Sequence, residues 1–108
     1  MKRGEVYWYD FNHPDKRRPV LILTRSVIIP YLNTVTIAPI TTRIRDIPSE
    51  VLLTIEDGMS TNCVANFDNI QTVSQAKIGE FITYLSPRRL EEVKTAVSFA
   101  LGLDEFSW

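Results

Sequence analysis

Short β-rich runs follow one another along most of this chain, each closed by turn chemistry, and only the last segment changes period. Glu5 to Phe11 follows Gly4, and Asn12-His13-Pro14-Asp15 turns the chain before an apolar strand from Pro19 to about Thr24. A loop through Pro30 leads to the β-branched run Asn33 to Ile40, which ends in Thr41, Thr42 and Arg43. Further strands are expected at 50–55, 62–67, 70–73 and 81–85, separated by Asp57-Gly58, Asp68-Asn69 and Gly79. With little helix between them, strands this short predict a small sheet or partly closed barrel. Beyond them, Ser86 is a natural N-cap and Pro87 fits a first helical position. Leu90, Val93, Val97, Ala100 and Leu101 recur at helical spacing before Gly102, which predicts one closing amphipathic helix. Arg88 and Arg89 are followed by Glu91 and Glu92, so this cluster reads as a solvated helix face.

At 108 residues the chain fits one domain, 1–108, with a single core. The charged start at Lys2, Arg3 and Glu5 and the lack of a long apolar run predict a cytoplasmic protein with no membrane segment. Cys63 is the only cysteine and His13 the only histidine, so neither an internal disulfide nor a cysteine zinc site can form within the chain. Cys63 lies in an apolar run and reads as core. No metal and no cofactor are expected, and the familiar glycine-rich, serine-elbow and zinc signatures do not occur.

The net charge of −1 conceals an asymmetry. Residues 1–45 carry eight Lys/Arg against three acids, whereas residues 46–108 carry four against ten. A basic face built from the first part could bind a polyanion while the whole chain stays slightly acidic. Its densest point is Lys16-Arg17-Arg18-Pro19, which is expected on a loop at the lip of the buried Val20-Leu21-Ile22-Leu23 strand. Guanidinium groups held there suit phosphate. RNA is a phosphodiester with its own nucleophile, the 2′-OH. Cleaving it without a metal needs cations for the developing charge, a donor to orient a phosphate oxygen, and a group to handle protons. Arg18 supplies the first requirement and Thr41 or Thr42 the second, if the strand ends meet. His13 has a reference pKa suited to proton transfer, but on a loop five residues before Arg18 it reads first as a contact with RNA. Lys16, Arg17, Arg25, Arg43 and Arg45 are candidates for backbone contacts with RNA. Trp8 and the tyrosines could stack bases, although aromatics in a first strand are more often core.

Four segments then occur in a familiar order: Lys2-Arg3-Gly4-Glu5-Val6-Tyr7, Arg17-Arg18-Pro19-Val20-Leu21-Ile22-Leu23, Ala38-Pro39-Ile40-Thr41, and Asn62 to Val73. With Leu85-Ser86-Pro87 and the closing helix, they make the chain resemble the MazF/PemK family of toxins from type II toxin-antitoxin systems. That resemblance implies a mainly β fold with a C-terminal helix, an SH3-like small barrel, usually a homodimer. It implies a metal-independent, sequence-selective endoribonuclease leaving a 2′,3′-cyclic phosphate and a 5′-hydroxyl. The family's arginine and threonine land on Arg18 and Thr41. Arg18 then stabilises phosphate charge and is placed to donate a proton to the leaving 5′-oxygen, because the very high reference pKa of arginine makes it a poor base. The implied partners are single-stranded RNA and a cognate MazE-like antitoxin, whose acidic extended segment would compete for the basic face.

The chain departs from the family in the loop before Arg18, in Gln71 where an arginine is frequent, and in Ser74 to Ile78, which replaces a more charged segment. The resemblance therefore sets no target sequence. A second reading, from another class, is a non-enzymatic poison like the fold-related CcdB toxins that bind DNA gyrase. Its support is the aromatic tail ending in Phe106 and Trp108.

Overall fold

One strand with two successive partners organises the sheet. The computed structural model describes residues 1–12 and 17–105. Strands β1 (Glu5–Asp10), β2 (Arg17–Ile22), β3 (Thr34–Thr41), β4 (Glu50–Leu53), β5 (Cys63–Asn66), β6 (Gln71–Ser74) and β7 (Ile78–Tyr84) precede helix α1 (Pro87–Leu101). The order across the sheet is β4-β5-β3-β2-β1-β7, with β6 also paired to β3. The first half of β3 pairs antiparallel with β6, from Thr34↔Ser74 to Ile37↔Gln71. Its second half pairs with β5, at Ile40↔Ala65 and Thr41↔Val64. The exchange falls at Ala38-Pro39, where a residue without an N–H sacrifices least. Among the described residues β4 and β7 end the sheet, so it is the open form of the expected small barrel.

Strand alternation gives this sheet two apolar faces. Val6, Leu21, Ala38 and Ile40 lie on the face beneath α1. Val20, Ile22, Val35 and Ile37 lie on the other, with Tyr9 and with Ile29 from a 3-10 turn at Ser26–Tyr31. Burial on both faces is why Val20-Leu21-Ile22 reads as an unbroken apolar run instead of an alternating one. The 3-10 turn occupies part of what the sequence presents as a loop.

The helix begins and ends as expected. Ser86 Oγ accepts the Arg89 N–H at 3.2 Å, and Pro87 opens the first turn. Gly102 adopts φ 67°, and the Gly102→Phe99 and Leu103→Ser98 backbone bonds close a Schellman motif. Val93 and Ala96 are buried, with Leu90, Val97 and Ala100 packed beside them, but Leu101 is exposed.

Arg89 corrects the reading of a solvated cluster. Its side chain is only 13% exposed, its Nε donates to Asp57 Oδ1 at 3.0 Å, and its Nη1 donates to Glu92 at 2.9 Å. Asp57 also accepts from the Thr54 N–H at 2.8 Å, within a capping box that ends β4 and starts a 3-10 turn at Ile55–Asp57. That box is why β4 stops at Leu53 rather than Ile55. Gly58 follows at φ 95°, where an added Cβ would lie 2.3 Å from Thr83 Oγ1, so only glycine fits the turn.

Candidate active site

The β2–β3 ladder runs Ile22↔Ile37, Leu21↔Ala38, Val20↔Pro39 and stops. One step further, Pro19 has no N–H to offer β3. The β1–β2 ladder continues through Tyr9↔Arg18 to Asp10↔Arg17. Arg17 and Arg18 are thus strand residues held against β1, which corrects their expected place on a loop. The prolines leave an opening between the start of β2 and the end of β3. Alternation puts Arg18 on the face of Val20 and Thr41 on the face of Pro39, two residues beyond the last pair of the ladder on each strand. Register alone therefore turns Arg18 and Thr41 toward one opening.

That opening is a pocket of about 290 Å³ lined by Arg18, Pro39, Thr41, Arg43, Arg45, Asn66 and Asn69. Among the described residues, three guanidinium groups and no carboxylate line it. Thr41 Oγ1 accepts the Arg43 N–H at 3.2 Å, which leaves the hydroxyl hydrogen for another acceptor. Asn66 Oδ1 accepts the Asp68 N–H at 2.9 Å, so its amide donors point elsewhere. The pocket offers donors and positive charge, the chemistry that receives a phosphodiester.

Behind the pocket lies a polar shelf. Ser49 and Asn66 are the two polar residues buried among the described ones, and both belong to it. Ser49 Oγ donates to Asp68 Oδ2 at 2.6 Å, and the Ser49 carbonyl accepts the Phe67 N–H at 3.0 Å. Glu50, opposite Asn66 in the β4–β5 ladder, accepts from the Arg45 N–H at 3.0 Å and from Arg45 Nε at 2.9 Å. Asp46, in the same connection, is held at φ 56°.

Of the residues expected to meet RNA, Arg18, Thr41, Arg43 and Arg45 come together. Arg17 does not line the pocket; its guanidinium lies 4.6 Å over the Trp8 ring, on the opposite face of β2 from Arg18. Trp8 has that face covered. Arg25 is exposed before the Ser26–Tyr31 turn, and Thr42 is exposed outside the pocket lining. His13 and Lys16 lie outside the described residues. Pro39, Asn66, Asn69 and Glu50 were not singled out from sequence. The available signal was Asn66, a polar residue closing the apolar run Cys63-Val64-Ala65.

Other chemistry-bearing groups are occupied. Cys63 is buried, and burial, reinforced by the Asp57 charge, pushes its thiol up to about 11, so it packs as core. Burial and the hydrogen bond to Glu5 push Tyr7 up to about 12. Among the described residues no three His, Cys, Asp or Glu side chains gather as a metal site. A larger groove of about 540 Å³ runs between α1 and the sheet, walled mainly by aliphatic side chains such as Leu21, Leu90 and Val97.

Comparison with known proteins identifies the family. Residues 2–101 match the family described as PemK-like, MazF-like toxin of type II toxin-antitoxin system, and the chain belongs to that family. It is 41% identical over 90 residues to Endoribonuclease MazF3 of Mycobacterium tuberculosis, covering 83% of this chain and 87% of the relative. Among solved structures it is similar to Mycobacterium tuberculosis toxin MazF-mt6, with TM-score 0.85, 35% identity, and coverage of 96% and 99%. It is also similar to an endoribonuclease in complex with its cognate antitoxin from a mycobacterial species, with TM-score 0.85, 28% identity, and coverage of 100% and 98%.

Proposed function

We propose that this chain is a single-domain endoribonuclease toxin that cuts single-stranded RNA at the Arg18–Thr41 pocket without a metal. The observation that carries this is the register beyond Val20↔Pro39, which converges Arg18 and Thr41 on one basic opening. The 2′-OH attacks the adjacent phosphorus, its proton passing to solvent water that afterwards reprotonates Arg18, and forms the 2′,3′-cyclic phosphate as the bond to the 5′-oxygen breaks. Arg18 stabilises the charge developing on the phosphate and donates the proton that the leaving 5′-oxygen takes up. The Thr41 hydroxyl orients a non-bridging oxygen, and Arg43 and Arg45 hold neighbouring phosphates. Arg17, Arg25, Thr42, His13 and Lys16 are assigned to the approach of the strand, outside the chemical step.

The partners follow from charge. An acidic, extended segment of a cognate antitoxin would compete with RNA for three guanidiniums, and one structural neighbour is an endoribonuclease bound to its antitoxin. Exposed Phe81 and Tyr84 on end strand β7 support pairing of two copies as a homodimer. No described helix is long and apolar enough to cross a membrane, in keeping with action on RNA in the cytoplasm. A gyrase poison is not favoured, because the matched relative is named as an endoribonuclease; the aromatic tail at Phe106 and Trp108 lies outside the described residues.

The test is a long end-labelled RNA incubated with the protein in excess EDTA, beside Arg18→Ala. Discrete cuts bearing cyclic phosphates are expected from the wild type. The variant should fall by about 10²–10³-fold, the range for loss of one donor to a developing oxyanion. Intact RNA across diverse substrates, or cuts undiminished in the variant, overturns the assignment.

A further inference from the structure

We propose that Glu50 is a positioning residue for RNA binding: its carboxylate holds Arg45 so that the guanidinium presents its free edge to the pocket shared with Arg18 and Thr41. The inference rests on the nuclease reading and adds to it a residue outside the pocket lining. It stands on three observations. Glu50 is an almost fully enclosed carboxylate, 2% exposed, yet it sits beside a pocket that would attract anions. Both of its oxygens go to Arg45, one to the backbone N–H and one to Nε, so it fixes the chain and the side chain of one residue together. With Nε committed, the two Nη groups are the donors left at the pocket wall, and among the described residues the further acid nearby is Asp68, a long 3.9 Å from Nη2.

An ion pair built only for stability has no need of a pocket. Arg45 is 44% exposed, so pairing it with Glu50 brings little stability through charge alone, while any anion that enters the pocket meets a guanidinium already oriented. Ser49 and Asp68 are hydrogen-bonded to each other next to the same wall, which Asn66 lines, and Asp46 in the connection adopts a left-handed backbone. A negative charge close to bound RNA would ordinarily oppose it. Glu50 instead favours RNA, because what it repels directly is outweighed by the Arg45 contact it secures.

The sign of one substitution separates the two roles. Glu50→Gln keeps the shape of the side chain and removes one negative charge, so a purely structural or long-range electrostatic role predicts RNA binding that is unchanged or tighter. Positioning predicts binding to a mixed-sequence 2′-O-methyl RNA weakened about fivefold, with the slope of log K against log salt reduced by about 0.7, one phosphate contact on a single strand. In an Arg45→Ala background the same substitution should have no further effect. Arg45→Lys, on an exposed side chain, keeps the charge but loses the fork, and should also weaken binding; it remains informative if Glu50→Gln folds poorly. Tighter or equal binding by Glu50→Gln with wild-type cleavage overturns this inference alone, as does a full-sized loss that persists without Arg45. Wild-type protein that neither binds nor cuts RNA overturns the nuclease reading and this inference together.

Discussion

Two arginine Nε–carboxylate bonds of nearly identical length, Arg45 to Glu50 at 2.9 Å and Arg89 to Asp57 at 3.0 Å, have surroundings that give them opposite uses. Around Arg89 both partners are enclosed, a second acid at Glu92 shares the charge, and Thr54 satisfies the rest of Asp57. That cluster ties the first turn of α1 to the turn after β4, with the arginine side chain largely enclosed. At Arg45 only the carboxylate is enclosed. The guanidinium stands half in water beside Arg18 and Arg43, with donors to spare. The same bond fastens the fold in one place and aims a binding group in the other; what distinguishes them is which partner faces solvent.

The largest expected effect breaks the first pair. Arg89→Met leaves Asp57 without its enclosed cation and should cost about 3 kcal/mol in urea unfolding, while RNA cleavage by the folded fraction is preserved. The same pair sets an acid limb. Burial pulls Asp57 upward, but its bonds from Arg89 and Thr54 outweigh this and hold the carboxyl below its ordinary 3.8. The folded value lies below the unfolded one, so this stabilisation is complete above about pH 4 and fades as pH falls further. An Arg89→Met protein should show a shallower acid loss, and an identical acid profile would deny the pair this role.

Next comes Thr41→Val, which keeps the β-branched shape and removes the hydroxyl. Cleavage should drop by about 10²-fold with the unfolding midpoint unmoved, since the hydroxyl's only described bond is to the exposed Arg43 N–H. The smallest effect belongs to the pair whose arginine is exposed, since Glu50 keeps the backbone N–H of residue 45 and solvent can replace the lost guanidinium. Arg45→Ala should change unfolding free energy by no more than about 1 kcal/mol while weakening RNA binding in a salt-dependent way. A stability loss matching that of Arg89→Met would erase the contrast between the two clusters.

Local chemistry was legible because it acts locally. Ser86, Pro87 and Gly102 bounded the helix through caps that need only their neighbours, and the β-branched runs located each strand to within a few residues. Arg18 was readable as a candidate from the cation run that ends at Pro19, and Thr41 from its hydroxyl at the end of a β-branched strand together with the family resemblance. The Arg89 error and the omission of Glu50 share a cause. Whether a charged side chain is solvated depends on what the chain brings against it from far away, and Asp57 lies 32 residues from Arg89. Arg17 and Arg18, adjacent in sequence, point to opposite faces, and only pairing with β1 says which one meets the pocket.

By itself, then, the sequence determined the element types, the helix ends, the two-sided apolar strands and the stock of cations, because each follows from backbone and side-chain preferences over a few residues. The tertiary structure decided which cations converge. Register, set where Pro19 and Pro39 end the β2–β3 ladder and β3 exchanges β6 for β5, brings Arg18, Thr41, Arg45 and Asn66 from four separate segments to one opening. Such convergence is a property of strand pairing across long separations, which no single stretch of the chain encodes.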